Sequence, residues 1–292
     1  MAPQREHFSA YLAASAGAAA VNYPLWKASA VSQSAFIQPQ GDGLAARFQV
    51  FKQAIAPPYR GMPAVIFGMT WARCAIFFGS DYWRPRLQQW GAPDAVAMMT
   101  PPLVFSSIVQ IVNMPIVRAS ITMQNPKVEN DPNFRTTVST LRHLAETKGF
   151  FKLWHGLPAG LIKSVPKYIT SVVVKDLCEM YLPKASTESE FLTRSCIKSV
   201  VAGVAGAVLT NPADILRNEM FKTDLGLFDT VRKLRTDELA RRPNASSPFL
   251  ASMGWVTRGL GSNLVAVSVP ITLTIFLTDF FIRMESGPNY VR

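Results

Sequence analysis

The chain is poor in charge. Asp, Glu, Lys and Arg make up 17% of its 292 residues, against roughly 25% in soluble globular domains, which argues against a soluble enzyme. Cysteine is scarce too: Cys74, Cys178 and Cys196 are too few and too scattered for a disulfide framework or a zinc site, and no Cys-x-x-Cys pair occurs. They read as thiols in apolar surroundings. The three histidines are dispersed, no glycine-rich loop precedes a lysine, and no His or carboxylate cluster has metal-ligand spacing. The sequence is therefore read as neither an enzyme nor the holder of a metal or cofactor. Acidic residues are outnumbered, 19 against 30 basic, for a formal net charge of +11, and such an excess suits nucleic acid or an anionic membrane surface. An apolar content of 49% and a mean hydropathy of +0.15 exclude disorder and favour the membrane. Nucleic acid is set aside because the basic residues fall between apolar segments.

Charge-free stretches locate the spans, because an ionised side chain at mid-bilayer costs several kcal/mol unless it has a role. Four windows qualify: 8–26, 95–117, 199–213 and 259–278. Arg5 and His7 before the first imitate a short leader, but Pro24 and Lys27 follow without a cleavage pattern, so this run is read as a span. Two further segments are apolar but interrupted: 62–83 by Arg73 and Asp81, and 157–180 by Lys163, Lys167, Lys175, Asp176 and Glu179. Their charges must face protein or water. Longer basic stretches, 39–58, 125–152 and 222–253, lie between the members of each pair of spans, whereas the linkers between pairs are short. The long loops are thus expected on one side of the membrane and both termini on the other. Apolar residues recur at helical spacing within them: Phe48, Phe51 and Ile55, then Val138, Leu141, Leu144 and Ala145, then Phe228, Val231, Leu234 and Leu239. Each loop therefore predicts a short amphipathic surface helix.

The three units align on their prolines. Asn22-Tyr23-Pro24, Asn113-Met114-Pro115 and Asn211-Pro212-Ala213-Asp214-Ile215-Leu216-Arg217 are followed at similar distance by Tyr59-Arg60-Gly61, Trp154-His155-Gly156 and Thr257-Arg258-Gly259. Two ordered landmarks repeated three times make a period of about a hundred residues. The pattern resembles the mitochondrial carrier family, whose repeats carry Pro-x-Asp/Glu-x-x-Lys/Arg near the end of each odd helix and aromatic-Lys/Arg-Gly before each even one. Gln33 and Gln124, nine residues after their prolines, stand where the family often places a glutamine brace. The resemblance implies an all-α membrane protein of six transmembrane helices in three pseudo-symmetric repeats, 8–92, 93–186 and 190–287, with short amphipathic matrix helices, in the inner membrane.

The gates of that family are degenerate here. Its acidic matrix-gate positions read Trp26, Val117 and Asp214, and the basic ones Ser29, Ser120 and Arg217. Asp214 is expected to face Ser29, and Arg217 to face Val117, so no family-type bridge between helices forms there. Trp26 and Val117 suggest an apolar plug. Lys27 and Arg118 sit two residues early, about 200° round a helix, and are expected to point to lipid headgroups or a neighbouring helix. On the other side Asp81, Asp176 and Asp279 are in register, with partners Arg84, Glu179 and Ile282. A bridge is expected only between Asp279 and Arg84.

The family's substrate-contact positions read Gly68 and Met69, Lys163 and Ser164, and Ala266 or Val267. Arg73, Gln110, Lys163 and Lys167 then line a basic cavity for a small anionic solute, the alternative being that the lysines snorkel to phospholipid while Arg73 pairs internally. The apolar third position argues against nucleotide exchange. The turns Arg60-Gly61, His155-Gly156 and Arg258-Gly259, with Gly149, start helices whose free amides suit phosphate, and in the family such turns bind cardiolipin. The missing bridges favour a divergent member, an accessory or structural component of a larger inner-membrane complex with reduced or lost transport. The alternative is an active transporter of a small anionic metabolite.

Overall fold

The computed structural model describes residues 7–37, 44–56, 59–183, 187–208, 210–241 and 247–286, which contain helices and no strand. The long helices are α1 (Phe8–Gln33), α3 (Met62–Gln89), α4 (Asp94–Thr122), α6 (Leu157–Tyr181), α7 (Glu188–Val208) with α8 (Asn211–Thr223) beyond it, and α11 (Leu260–Ser286). Between them lie α2 (Leu44–Ile55), α5 (Thr137–Lys148), α9 (Leu227–Arg241) and the short α10 (Pro248–Ser252). The long helices pack in a closed ring, α1 on α3, α3 on α4, α4 on α6, α6 on α7, α7 on α11 and α11 back on α1. The predicted fifth span is thus two helices. The first ends at Val208 and the second begins at Asn211, with Pro212 in its first turn, where an amide has no helical acceptor to lose. The repeat ends expected at 186 and 287 lie outside the described residues.

Among the described residues three helices, α3, α4 and α11, are long and apolar enough to cross a membrane by length and composition. The charges of α6 sit inside the ring instead: Lys175 and Asp176 are buried and Lys163 nearly so. The exposed and buried faces are inverted relative to a soluble bundle. On α4 the exposed residues are Leu103, Val104, Ile108, Ile111 and Val112 while Ser106, Gln110 and Asn113 are buried; on α7 Ile197, Val200, Val201 and Val204 face out and Ser195, Lys198 and Ser199 face in. Such a surface is stable against hydrocarbon and costly against water.

The motif glycines have a conformational reason. Gly61, Gly156 and Gly259 start α3, α6 and α11 with φ of +71°, +87° and +66°, a region that only glycine enters without a Cβ penalty. The prolines have their compensations. Pro115 releases the carbonyl of Ile111, four residues earlier, and the Trp154 indole N–H donates to it at 2.8 Å. Pro270 likewise releases the Ala266 carbonyl, to which Asn22 donates at 3.0 Å when its amide is oriented to satisfy both neighbours.

The surface helices form where their apolar spacing places them, but with a narrower inner face. Thr140 with Leu144 on α5, and Thr230 with Leu234 on α9, are buried one turn apart, as is Ala54 on α2. Val138, Phe228 and Phe48 face outward. Thr136 and Ser139 close a capping box at the start of α5, satisfying amides that have no helical acceptor.

Candidate functional site

The ring encloses a cavity of about 120 Å³, lined from all six long segments. It holds all four residues proposed as a solute site, Arg73 on α3, Gln110 on α4, and Lys163 and Lys167 one turn apart on α6, together with Tyr168 and Asn22. Neither lysine snorkels outward. Lys163 Nζ lies 2.5 Å from Asp214 Oδ1, which Arg217 Nη2 reaches at 2.8 Å. Lys167 rests on the Tyr168 ring, 4.1 Å from its centroid. Arg73 is buried, its Nη2 donating to Asn22 at 3.2 Å while Nη1 has no hydrogen-bond partner. Ser164 donates to Gln110 at 2.6 Å, tying α6 to α4. Four cations and one carboxylate therefore share the lining.

This arrangement corrects the expected pairing of the loop-end gate. Asp214 faces Lys163 of α6 rather than Ser29, and Ser29 donates instead to Asn263 of α11 at 3.2 Å. Arg217 turns back to Asp214 in its own helix, one turn being the closest available acid, and to Asn218 at 3.3 Å. Trp26 and Val117 join an apolar cluster with Met114, Ile121 and Phe221 at that end of the cavity, and the Ser120 hydroxyl is buried beside them without a partner. Gln33 bridges α1 to α8, donating to Asn211 at 3.3 Å and accepting from Asn218 at 2.7 Å. Gln124 donates to the Arg60 carbonyl at 3.0 Å.

At the opposite end the correction is larger. Arg84 pairs with Asp176 at 2.7 Å, not with Asp279. Asp81 does not meet Glu179 but holds Lys175 at 2.5 Å and accepts from Tyr11. Asp279 pairs with Lys198 of α7 and accepts from Ser195 at 2.7 Å, and Lys198 also reaches Glu179 at 3.0 Å. The physical reason is that buried carboxylates must find cations, and with Glu179 and Ile282 at basic positions the nearest ones are Lys175 and Lys198. Reading motif positions alone missed both. The signal was present, since Lys198 bounds a charge-free window and Lys175 precedes Asp176. Arg283, one residue beyond Ile282, stacks on Phe191, 4.4 Å from its centroid.

The glycine turns lie at separate corners of the loop end. Arg60 pairs with Glu129 at 2.5 Å and Arg258 approaches Glu219 at 3.5 Å. Burial pushes the Arg258 pKa below its usual value, with Glu219 acting the other way. Arg118, only 1% exposed, points to neither lipid nor cavity but pairs with Asp224 beyond α8, which Lys148 also reaches. Lys27 is buried as well, donating to the Ala56 carbonyl beside the Tyr59 ring. His155 next to Arg118 is driven below its ordinary pKa by burial first and then by that guanidinium. Gly149, at the end of α5, takes φ of +94°.

Residues 104–186 match the family model described as mitochondrial carrier protein. Similar proteins include mitochondrial thiamine pyrophosphate carrier 1 of Pyricularia oryzae, 32% identical over 182 residues, which is 55% of this chain and 53% of that protein. Mitochondrial glutamate carrier 1 of Bos taurus is 31% identical over 123 residues, covering 39% and 38%. Mitochondrial brown fat uncoupling protein 1 of Ovis aries is 25% identical over 116 residues, covering 40% and 38%. The aligned regions thus span about two fifths to one half of these relatives. The ring of six helical segments, entered through left-handed glycines and with prolines inside α1, α4 and α11, accompanies these matches, and through residues 104–186 the chain is similar to the mitochondrial carrier family.

Proposed function

We propose that the chain carries a small anion across the mitochondrial inner membrane, with the surface helices in the matrix and the chain ends toward the intermembrane space. The observation that supports this is the charge of the cavity: Arg73, Lys163, Lys167 and Arg217 line it against one carboxylate, Asp214. Buried cations in a membrane-spanning bundle are costly unless paired or used. The cavity's 120 Å³ is below the ~300–1,000 Å³ typical of sites for drug-sized ligands, which favours a compact anion over a nucleotide or a solute as large as thiamine pyrophosphate. Glutamate, named for the bovine relative, is nearer the right size and sign. In purified protein reconstituted into liposomes, labelled phosphate, short dicarboxylates and glutamate are expected to show saturable exchange that falls at least tenfold in Lys167→Ala, about 1.4 kcal/mol. Unchanged exchange in that variant removes Lys167 from the pathway.

A second reading keeps the fold and drops efficient transport: an accessory component of a larger inner-membrane complex. Its support is the apolar packing of Trp26 and Val117, where an alternating carrier needs a closure that substrate can release. Native gel electrophoresis of gently solubilised membranes separates the two, co-migration with a complex of several times its 32.2 kDa favouring this reading. For either, cardiolipin at the Arg60-Gly61, Gly149, His155-Gly156 and Arg258-Gly259 turns is the proposed lipid partner.

A further inference from the structure

The wall of the cavity is divided in character. Lys163 and Arg217 are spent on Asp214, which leaves Arg73 of α3 and Lys167 of α6 as the lining cations with no ion-pair partner among the described residues. Both meet at Tyr168: Lys167 Nζ lies 4.1 Å from its ring centroid, and Arg73 interacts with the same tyrosine. Arg73 Nη1 is buried without an acceptor, and an unmet buried donor is costly until a ligand fills it. The contrasting wall comes from α11, through Ala266, Val267, Pro270 and Ile271. Val267 and Ile271 belong to the same apolar cluster as Ala72, Val109 and Tyr168, which puts that wall beside the two cations. The polar side chain that α11 brings to the lining, Asn263, sits nearer the loop end, where it accepts from Ser29.

We propose, resting on the reading of the chain as an anion carrier, that the solute is a short monocarboxylate with an apolar tail. Its carboxylate bridges Arg73 and Lys167, and its tail lies on Val267 and Ile271. A second charge has no place in a molecule held this way. On the α11 side it would be buried among apolar side chains with no cation, the least favourable setting for an ion. Toward the loop end Lys163 and Arg217 are held by Asp214, whose carboxylate repels another anion more strongly in a site of low dielectric than in water. Size sets the remaining limit. An apolar cavity of ~150 Å³ holds one benzene ring, so the 120 Å³ here takes about six heavy atoms, a carboxylate and about three further carbons.

The test titrates the purified protein in detergent with the sodium salts of acetate, propionate, butyrate, succinate and inorganic phosphate at constant ionic strength and near neutral pH, reading affinity from the melting shift. Each methylene from acetate to butyrate is expected to tighten binding roughly fourfold. Succinate, which puts a second carboxylate in place of the butyrate methyl, is expected to bind roughly tenfold more weakly than butyrate. Val267→Thr, which keeps the shape and sets a hydroxyl on the wall beneath the tail, is expected to weaken butyrate more than acetate. Lys167→Gln is expected to weaken both by about tenfold. Succinate, phosphate or acetate bound as tightly as butyrate overturns the proposal and leaves the carrier reading standing. So does an unchanged butyrate affinity in Lys167→Gln, or a folded Val267→Thr protein that keeps the wild-type ratio of butyrate to acetate. If Val267→Thr does not fold, the wild-type series and Lys167→Gln decide. A protein that binds none of the five anions, and exchanges none of them in liposomes, overturns both.

Discussion

Trp154 shows how much a single polar atom decides in this molecule. Its indole N–H satisfies the Ile111 carbonyl that Pro115 leaves without a helical donor, and Ile111 faces outward, where hydrocarbon offers no replacement. Trp154→Phe keeps the ring in the apolar cluster and removes only the donor. It is expected to cost about 1–3 kcal/mol, the penalty of an orphaned buried acceptor, visible as a lower melting temperature in detergent. Gly156 is held more tightly. A Cβ there would meet the Phe221 ring at 2.9 Å with the backbone at φ +87°. Gly156→Ala is expected to destabilise by at least ~1–2 kcal/mol, the strain of a left-handed non-glycine residue plus displacement of a packed ring. The equivalent change at Gly261, which has open space around it and lies within α11, is expected to be neutral or stabilising.

Among the helices, Lys198 carries the far end. It joins α7 to both Glu179 of α6 and Asp279 of α11, so its loss takes one cation from two mostly buried carboxylates. Removing one partner from a buried ionic group typically costs ~3–5 kcal/mol, and Lys198→Met is expected to melt well below wild type. Lys198→Arg is expected to restore most of it. The Arg84–Asp176 and Lys175–Asp81 pairs tie α3 to α6 independently, so Lys198→Met should loosen one side of the ring first. Faster cysteine labelling at Cys196, exposed on α7, against unchanged labelling at buried Cys74 would record that. The repeat is visible in these contacts as well as in its motifs. The buried pairs Thr140 with Leu144 and Thr230 with Leu234 hold α5 and α9 by corresponding faces.

For the whole molecule, stability is expected to respond to mild acid through His155. Its pKa in the folded protein lies below the ordinary 6.5 because burial and Arg118 oppose the proton. Near pH 6 the unfolded chain therefore binds more protons at this residue than the folded one. The stabilisation is complete above pH 6.5 and is lost as pH falls from there through the lower folded-state value. Melting temperatures of wild type and His155→Gln between pH 8 and pH 5 should converge toward acid. Parallel curves would show that His155 is not the group responsible. Arg118, Asp224 and Lys152 are the charged groups that face it.

The sequence by itself determined the plan of the molecule. Low charge, uncharged windows and basic loops gave the spans and their order, and proline and glycine landmarks gave the three repeats, because hydrocarbon penalises charge wherever it occurs and only glycine or proline permits those turns and kinks. It also named the cavity's cations: Arg73, Lys163 and Lys167 do meet. What the tertiary structure decided was who pairs with whom. Asp214 with Lys163, Arg84 with Asp176, Asp279 with Lys198 and Arg118 with Asp224 are all contacts between distant segments. Motif register assigns partners as if each helix kept its family's rotation. A buried carboxylate instead takes whichever cation the packed ring brings within reach, and that distance is a property of six helices together rather than of any one.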